Sequence, residues 1–488
     1  MIQNKKIKVI NWINGEETEE GISSWLDKFN PHSGELLCQV ADSSEPQIQM
    51  AVSSAEESFK AWSKVTPVAR GQVLFEIARL MSLNSEELAR SIALETGKPP
   101  ADAKGEVSAA ILQAQFFAGE GMRLYGKSLT SAMLGKSSFT VRDPHGVVGL
   151  IVPANTPIAN IAWKIFPALI CGNSLVLKAS EDAPSIAIIL AKLVQQAGLP
   201  DGVLNIIQGS KNAGEALVNN NSISLISFTG STNVGKWIAE NAGRRLARVS
   251  LELGGKNAFV VCDDAYMDQA VHWACLSAFS NAGQRCAAAS RIFIFEKIYE
   301  EFLTKFIAKA QTLKIGITEG CDLGPVINPR QYQNILSAIK MAKEAGGEMH
   351  CGGAIEHDEN LKNGFYILPT VISGLTESDS LNLEEIFGPV ATVQPIKDLE
   401  EGLNLTNNSN FGLTSAIHTQ NIDKALWFAK EVKSGIVNIN IGTFGSEPHM
   451  PFGGFKNSGN GTREPGVEAL DVYSELKNIS LLVRDQLI

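Results

Sequence analysis

The sequence predicts an α/β protein in which a Rossmann-like domain is followed by a second α/β region. Three observations predict it. Between residues 147 and 253, apolar runs of β type alternate regularly with segments of 3.6-residue spacing, the pattern of a parallel sheet covered on both faces. The alternation resumes beyond Gly255 with strands and helices of its own. At 488 residues the chain exceeds one ordinary core, so two domains with small extensions are expected.

Taken in order, the residues up to about 45 carry short β-type pieces, with the turn Asn30-Pro31-His32-Ser33-Gly34-Glu35 between Trp25–Phe29 and Leu36–Val40. Helical spacing follows from Ile48, from Ala69 to Ser82 and from Ser85 to Thr96, where Gly97-Lys98-Pro99-Pro100 stops it, and again from Ala103 to Gly121. Ser137–Arg142 reads as a strand, and Asp143-Pro144-His145-Gly146 punctuates the chain before the main alternation. Strands are then expected at 147–152, 174–178, 203–207, 224–228 and 248–253, with helices at 157–170, 183–197, 211–219 and 233–243. In the second region strands are expected near 257–261, 291–295, 366–372, 390–395, 414–418 and 436–440, and helices near 268–279, 297–312, 330–345, 398–406 and 421–432.

Composition excludes several classes. A net charge of −10 without any basic run argues against a nucleic acid partner. The seven cysteines are scattered and contain no C-x-x-C, which gives neither a disulfide framework nor a metal site. The start of the chain is basic, but its apolar run is too short for a secretory segment, and no stretch of about 18 apolar residues predicts a membrane span. A cytoplasmic protein is expected.

Three stretches carry candidate chemistry. In Asn281-Ala282-Gly283-Gln284-Arg285-Cys286-Ala287-Ala288, a thiol sits among small residues on a turn that feeds a strand, with a cation beside it that favours the thiolate if it points at the sulfur. The plain alternative is a buried cysteine acting as a small hydrophobe. In Leu251-Glu252-Leu253-Gly254-Gly255-Lys256, a carboxylate stands at a strand end among apolar residues that raise its pKa, unless it is an ordinary edge-strand glutamate. Phe228-Thr229-Gly230-Ser231-Thr232-Asn233-Val234-Gly235 is a strand ending in glycine and opening a helix, either a phosphate site or a simple N-cap. No G-x-G-x-x-G follows the first strand of the alternation, where Pro153-Ala154-Asn155-Thr156-Pro157 stands instead.

Leu251–Lys256 followed at this spacing by Gly283–Cys286 resembles the signature pair of the NAD(P)-dependent aldehyde dehydrogenase superfamily, with a hydrolytic, semialdehyde-dehydrogenase-like member as the expected kind. The resemblance implies Cys286 as nucleophile, Glu252 as general base and Asn155 as a side-chain oxyanion donor. It places Lys178 and Glu181 on the adenosine ribose, and Gly230, Ser231 and Gly235 at the pyrophosphate. Glu385 and Phe387, in Glu384-Glu385-Ile386-Phe387-Gly388-Pro389, fall at the nicotinamide ribose and ring. Trp163, Arg285 and Phe452 fall in the substrate pocket, and no metal is implied.

A carboxylate near the ribose repels a 2′-phosphate, which favours NAD over NADP as cofactor. The resemblance further implies an NAD-binding domain of residues 1–125 and 145–253 and a catalytic domain of 254–465. A small β extension of 126–144 and 466–488 would make a homodimer or homotetramer. Members that pass the acyl group to coenzyme A lack a glutamate at position 252, so hydrolysis to the free acid is expected. The set Ala154, Thr156, Asn160, Trp163, Arg285, Ala287, Phe444 and Ser446 is mixed, smaller and more polar than an all-aromatic tunnel. Arg285 beside the thiol resembles that of members acting on polar or anionic semialdehydes, or, with Arg285 turned away, a neutral or aromatic aldehyde is the substrate. A coenzyme A-acylating semialdehyde dehydrogenase and a catalytically silent structural relative are the alternatives.

Overall fold

The computed structural model describes residues 7–354 and 361–483. The expected residues 1–6 of the first domain and 484–488 of the extension lie outside the described residues.

The regular alternation becomes one sheet. Its strands run in the order Arg248–Glu252, Ile223–Thr229, Val147–Ile151, Ser174–Lys178, Leu204–Ile207, and neighbouring members of these five pair in parallel. Full burial on both faces explains their unbroken apolar composition, as in Ser174–Lys178, where every residue is buried. The sequence reading left the first short β pieces without a place. Asn11–Ile13 and Glu16–Thr18 extend this sheet beyond Leu204–Ile207 as antiparallel strands, making seven among the described residues. Helices Pro157–Cys171 and Ser185–Gln196 cover it, the first with 13 of its 15 residues buried.

The second sheet orders Glu348–Ala354, Ile367–Ser373, Val390–Ile396, Ala289–Phe295, Asn257–Val261, Thr414–His418 and Ile436–Ile439. All its pairs are parallel except the edge strand Glu348–Ala354, which runs antiparallel. The sequence analysis missed that strand because its Cys351-Gly352-Gly353 has no period-2 pattern and pairs with register shifts. The third sheet is the excursion itself: Lys136–Pro144 pairs with Ser474–Leu482 along nine residues and with Ser128–Leu129.

One boundary changes. Ala469, Leu470, Val472 and Tyr473 are buried in the core of the first domain, so the extension begins at Ser474 rather than at 466. What draws this segment in is polar as well as apolar. Glu464 is fully buried and its Oε2 takes the Lys164 ammonium at 2.8 Å. Its Oε1 accepts from Ser227 and Tyr473 at 2.8 Å and from Ser250 at 3.2 Å. Such a pair gives little net stability against an apolar replacement, whereas breaking it strands a buried charge.

Glu464→Ala is therefore expected to destabilise the protein by about 3–5 kcal/mol, while Lys164→Met with Glu464→Leu recovers most of the loss. Denaturant midpoints of the two variants check this, and equal losses would show that charge burial is not the cause.

Candidate active site

Sheet order locates the cleft. The chain leaves Val147–Ile151 toward Ser174–Lys178 on one side, then returns to Ile223–Thr229 on the other. The loops after those two strands diverge, and a crevice opens at the carboxyl ends. A cavity of about 610 Å³ lies there, and Asn155, Gly230, Ser231, Glu252 and Cys286 all line it. Glu385 and Phe387 close it from the second domain, and Trp163 and Phe452 complete one end.

Each side chain has a local reason for its place. Cys286 stands on the turn before Ala289–Phe295, partly exposed, as expected from the sequence. The turn is fixed from below by Asn257, whose Nδ2 donates to the carbonyls of Cys286 at 2.7 Å and Ala288 at 2.8 Å. Upstream, Asn281, Ala282 and Gly283 have φ of 54°, 53° and 67°, three consecutive residues in the left-handed region, two of them not glycine. Strain of this kind persists where packing over-determines it. Here a Cβ on Gly283 would lie 2.0 Å from the Gly388 carbonyl oxygen, so the turn presses directly on the segment that carries Glu385 and Phe387.

Asn155 follows the first strand of the alternation. Its Nδ2 donates to the Gln284 carbonyl at 3.0 Å, and its Oδ1 accepts from Asn160 Nδ2 at 3.3 Å, which settles the amide orientation. Its own carbonyl is held by Lys98 Nζ at 2.8 Å and Asn281 Nδ2 at 3.2 Å. Lys98 is paired with Glu106 at 2.5 Å, both buried, and Glu106 Oε1 accepts from the Ile158 and Ala159 N–H groups at the start of Pro157–Cys171. Sequence reasoning took Lys98 for part of a helix stop and gave Glu106 no role. The available signal was a glutamate at a buried position of the Pro100–Glu120 helix, beside Ala103, Val107 and Ala110.

Glu252 ends the edge strand and is 3% exposed. Neither of its carboxyl oxygens has a hydrogen-bond partner among the described residues. Burial, and then the Glu464 carboxylate, push its pKa well above the ordinary value against Lys164 and Arg463. Gly453, at φ +155°, lets the chain pass so close that a Cβ would sit 2.8 Å from Glu252 Oε1.

Other expected residues are placed differently. Lys178 and Glu181 stand at the next strand end, joined to each other at 3.0 Å, outside the wall of the cavity. Ser231 lines the cleft and caps Thr232–Gly243, accepting from the Val234 N–H at 3.5 Å. Gly235 was expected at the pyrophosphate. A Cβ there would approach Leu253 Cδ2 to 2.4 Å, so its lack of a side chain is required by helix-to-strand packing. Arg285 is not among the residues of the cavity wall, and its guanidinium carbon lies 4.9 Å from the centre of the Phe444 ring, a cation–π contact. Of the mixed pocket set, Thr156, Asn160 and Trp163 reach the cavity wall.

The resulting electrostatics are unusual for a nucleophile. Burial pushes the Cys286 thiol up to about 12, with Glu385 and Glu252 adding to it and Arg285 opposing least. Burial likewise brings Glu385 to about 7, although its Oε1 accepts from the Gly255 N–H at 3.1 Å.

The family described as the aldehyde dehydrogenase family matches residues 17–479. The α-ketoglutaric semialdehyde dehydrogenase of Bacillus subtilis is 37% identical over 475 residues, 96% of this chain and 97% of that one. Human retinaldehyde dehydrogenase 3 is 37% identical over 494 residues, 99% of this chain and 95% of its own. A crystal structure of betaine aldehyde dehydrogenase from Staphylococcus aureus in complex with NAD+ superposes with a TM-score of 0.95 at 33% identity, covering 99% of this chain and 96% of that one.

A raised thiol pKa means little thiolate near neutrality, and the thiolate is the reactive form. Alkylation of Cys286 by iodoacetamide without cofactor is therefore expected to accelerate about tenfold per pH unit from about pH 7 to 10 without levelling. Peptide mapping of the modified thiol follows the rate, and a plateau near pH 7 would contradict the assigned environment.

Proposed function

Because the chain belongs to the aldehyde dehydrogenase family, we propose that it oxidises a polar aldehyde to the free carboxylic acid through Cys286, Glu252 and Asn155. It is an NAD(P)-dependent aldehyde dehydrogenase, and NAD is its cofactor. The observation that carries the finer reading is the convergence of those three side chains on one cleft that also meets a helix N-terminus.

The cleft fits a dinucleotide. The Thr232 and Asn233 N–H groups, left over when Val234 donates to Ser231, are donors where the helix dipole favours a phosphate, and Glu385 and Phe387 line the same cleft. Lys178 and Glu181 would hold the adenosine ribose, Glu181 as acceptor from its hydroxyls. Bound NAD supplies the acceptor for the hydride.

The Cys286 thiol gives its proton to the Glu252 carboxylate, which passes it to solvent, and the sulfur attacks the aldehyde carbon, forming a C–S bond and an oxyanion. Asn155 Nδ2, with one hydrogen on Gln284, directs its other at that oxygen, and the backbone N–H of Cys286 supplies a second donor. Loss of such a donor costs about 3 kcal/mol in the barrier. Departure of hydride from carbon leaves a thioester on Cys286. Water attacks the thioester carbonyl while Glu252 takes its proton, the C–S bond breaks, and the carboxylic acid and thiol are released. An apolar, unpartnered carboxyl suits this task, because its raised pKa makes its carboxylate a stronger base than one in water.

The substrate reading is a polar aldehyde. A second reading, an anionic semialdehyde, is favoured by the Bacillus relative's name. Against it, the cleft wall contains no Lys, Arg or His among the described residues. The paired strands Lys136–Pro144 and Ser474–Leu482, with exposed Leu476, Leu481 and Leu482, suit a homodimer or homotetramer. No described helix is long and apolar enough to cross a membrane.

Cys286→Ala is expected to abolish NADH formation from every aldehyde while NAD still binds, read by absorbance and by calorimetry. Glu252→Gln should release about one NADH per site and then stall, turnover falling about 10²–10⁴-fold, with an acyl group on Cys286 by intact mass. Continued turnover at the original rate, or coenzyme A in place of water as acyl acceptor, would overturn the hydrolytic reading. Replacing Glu181 by Gln should narrow the kcat/KM ratio of NAD over NADP, and an unchanged ratio would remove Glu181 from the ribose.

A further inference from the structure

We propose that Thr156 and Asn160 form a subsite that selects aldehydes carrying a hydroxyl group, a reading that rests on the aldehyde oxidation proposed above and names its substrate class. Thr156 is the N-cap of Pro157–Cys171, Asn160 lies one turn on, and Trp163 another turn on, so all three project on one face, into the cleft that holds Cys286. Lys164, the other polar side chain of this largely buried helix, is taken by Glu464 and Ser227, which leaves Asn160 as the helix's polar group at the cleft.

The Asn160 amide has a fixed orientation. Its Nδ2 is within hydrogen-bond distance of three acceptors: the Thr156 carbonyl at 3.0 Å, Thr156 Oγ1 at 2.9 Å and Asn155 Oδ1 at 3.3 Å. Turning the amide over would set its oxygen against the Thr156 carbonyl and Asn155 Oδ1, which accept only. The nitrogen is thus committed to the protein. Asn160 Oδ1, on a residue 6% exposed, receives no hydrogen bond from a described residue. Thr156 Oγ1 accepts from Asn160 and keeps its own hydrogen to donate.

One acceptor and one donor side by side match a group that both donates and accepts, which is a hydroxyl. A carboxylate offers no hydrogen to Asn160, an ammonium accepts none from Thr156, and an alkyl chain leaves Asn160 Oδ1 buried without a partner. The rings of Trp163 and Phe452, with centroids 5.1 Å apart, line the same end and suit a short carbon skeleton. The bond from Asn160 Nδ2 to Asn155 Oδ1 places this subsite one hydrogen bond from the proposed oxyanion donor.

The experiment compares aldehydes that differ by one hydroxyl: propanal with 3-hydroxypropanal, and butanal with 3-hydroxybutanal, by NADH formation. The unmodified enzyme is expected to favour the hydroxylated member by about tenfold or more in kcat/KM, because a site built for a hydroxyl leaves its own groups unpaired without one. In Asn160→Leu the ratio is expected to fall toward one, even if all turnover is slower. A ratio near one in the unmodified enzyme, or one that survives Asn160→Leu, overturns the proposal while leaving aldehyde oxidation in place. No NADH from any of the four would sink both. Should Asn160→Leu fail to fold, the unmodified enzyme's ratio decides alone.

Discussion

The site depends on one hydrogen bond between domains. Asn155 belongs to the first domain and Gln284 to the second, and the bond from Asn155 Nδ2 to the Gln284 carbonyl sets the turn of Cys286 against the cleft floor. A single amide bond contributes about 1 kcal/mol and would not hold two domains in register by itself. Its partners make it rigid. Lys98 and Asn281 fix the Asn155 carbonyl from both sides, and Gln284 is tied in turn to Ile327 by a bond of 2.9 Å from the Ile327 N–H to its Oε1. The left-handed residues 281–283 cannot relax while Gly283 is packed on Gly388. Strain in the nucleophile's turn is thus balanced by contacts on both sides of the interface.

The cleft gathers acids. Glu252, Glu384 and Glu385 line it with the Cys286 thiol, and no cation stands on its wall among the described residues. Burial raises the pKa of Glu252, Glu385 and Cys286, so their charged forms are disfavoured before a ligand arrives. For stability the sign follows from the same shifts. A carboxyl whose folded pKa is raised costs the folded state more as pH climbs above the ordinary carboxylate range, so Glu252 and Glu385 weaken the fold toward neutral pH. That cost is of the kind proteins accept where chemistry needs a basic carboxylate.

Much of the architecture was legible because strands buried on both faces announce themselves by apolar runs, and Val147–Ile151, Ser174–Lys178 and Asn257–Val261 were read within a residue or so. The cleft was legible for a different reason: Glu252, Asn155 and Gly230 sit at strand ends, where sequence pattern and site position coincide. What stayed hidden was long-range. Glu348–Ala354 needed its partner strand to be seen as a strand, and the contact of Arg285 with Phe444 joins residues far apart in the chain. Lys98 and Glu106, eight residues apart, meet only because the chain turns between Thr96 and Pro100. At Gly235 the sequence showed the missing side chain but not Leu253, whose close approach the fold adds as a reason for it.

The two buried glutamates show how partner supply decides a role. Glu464 has an ammonium and three hydroxyls directed at its oxygens and joins the C-terminal return to the first sheet. Glu252, whose pKa Glu464 helps to raise, has no donor among the described residues and lines the cavity. Had the donors been shared evenly, neither carboxyl would be poised: each would be a satisfied structural acid, with its lone pairs engaged and its basicity reduced. By drawing the donors to one side, the fold gives Glu464 the structural task and leaves Glu252 with free lone pairs, which proton abstraction from water requires.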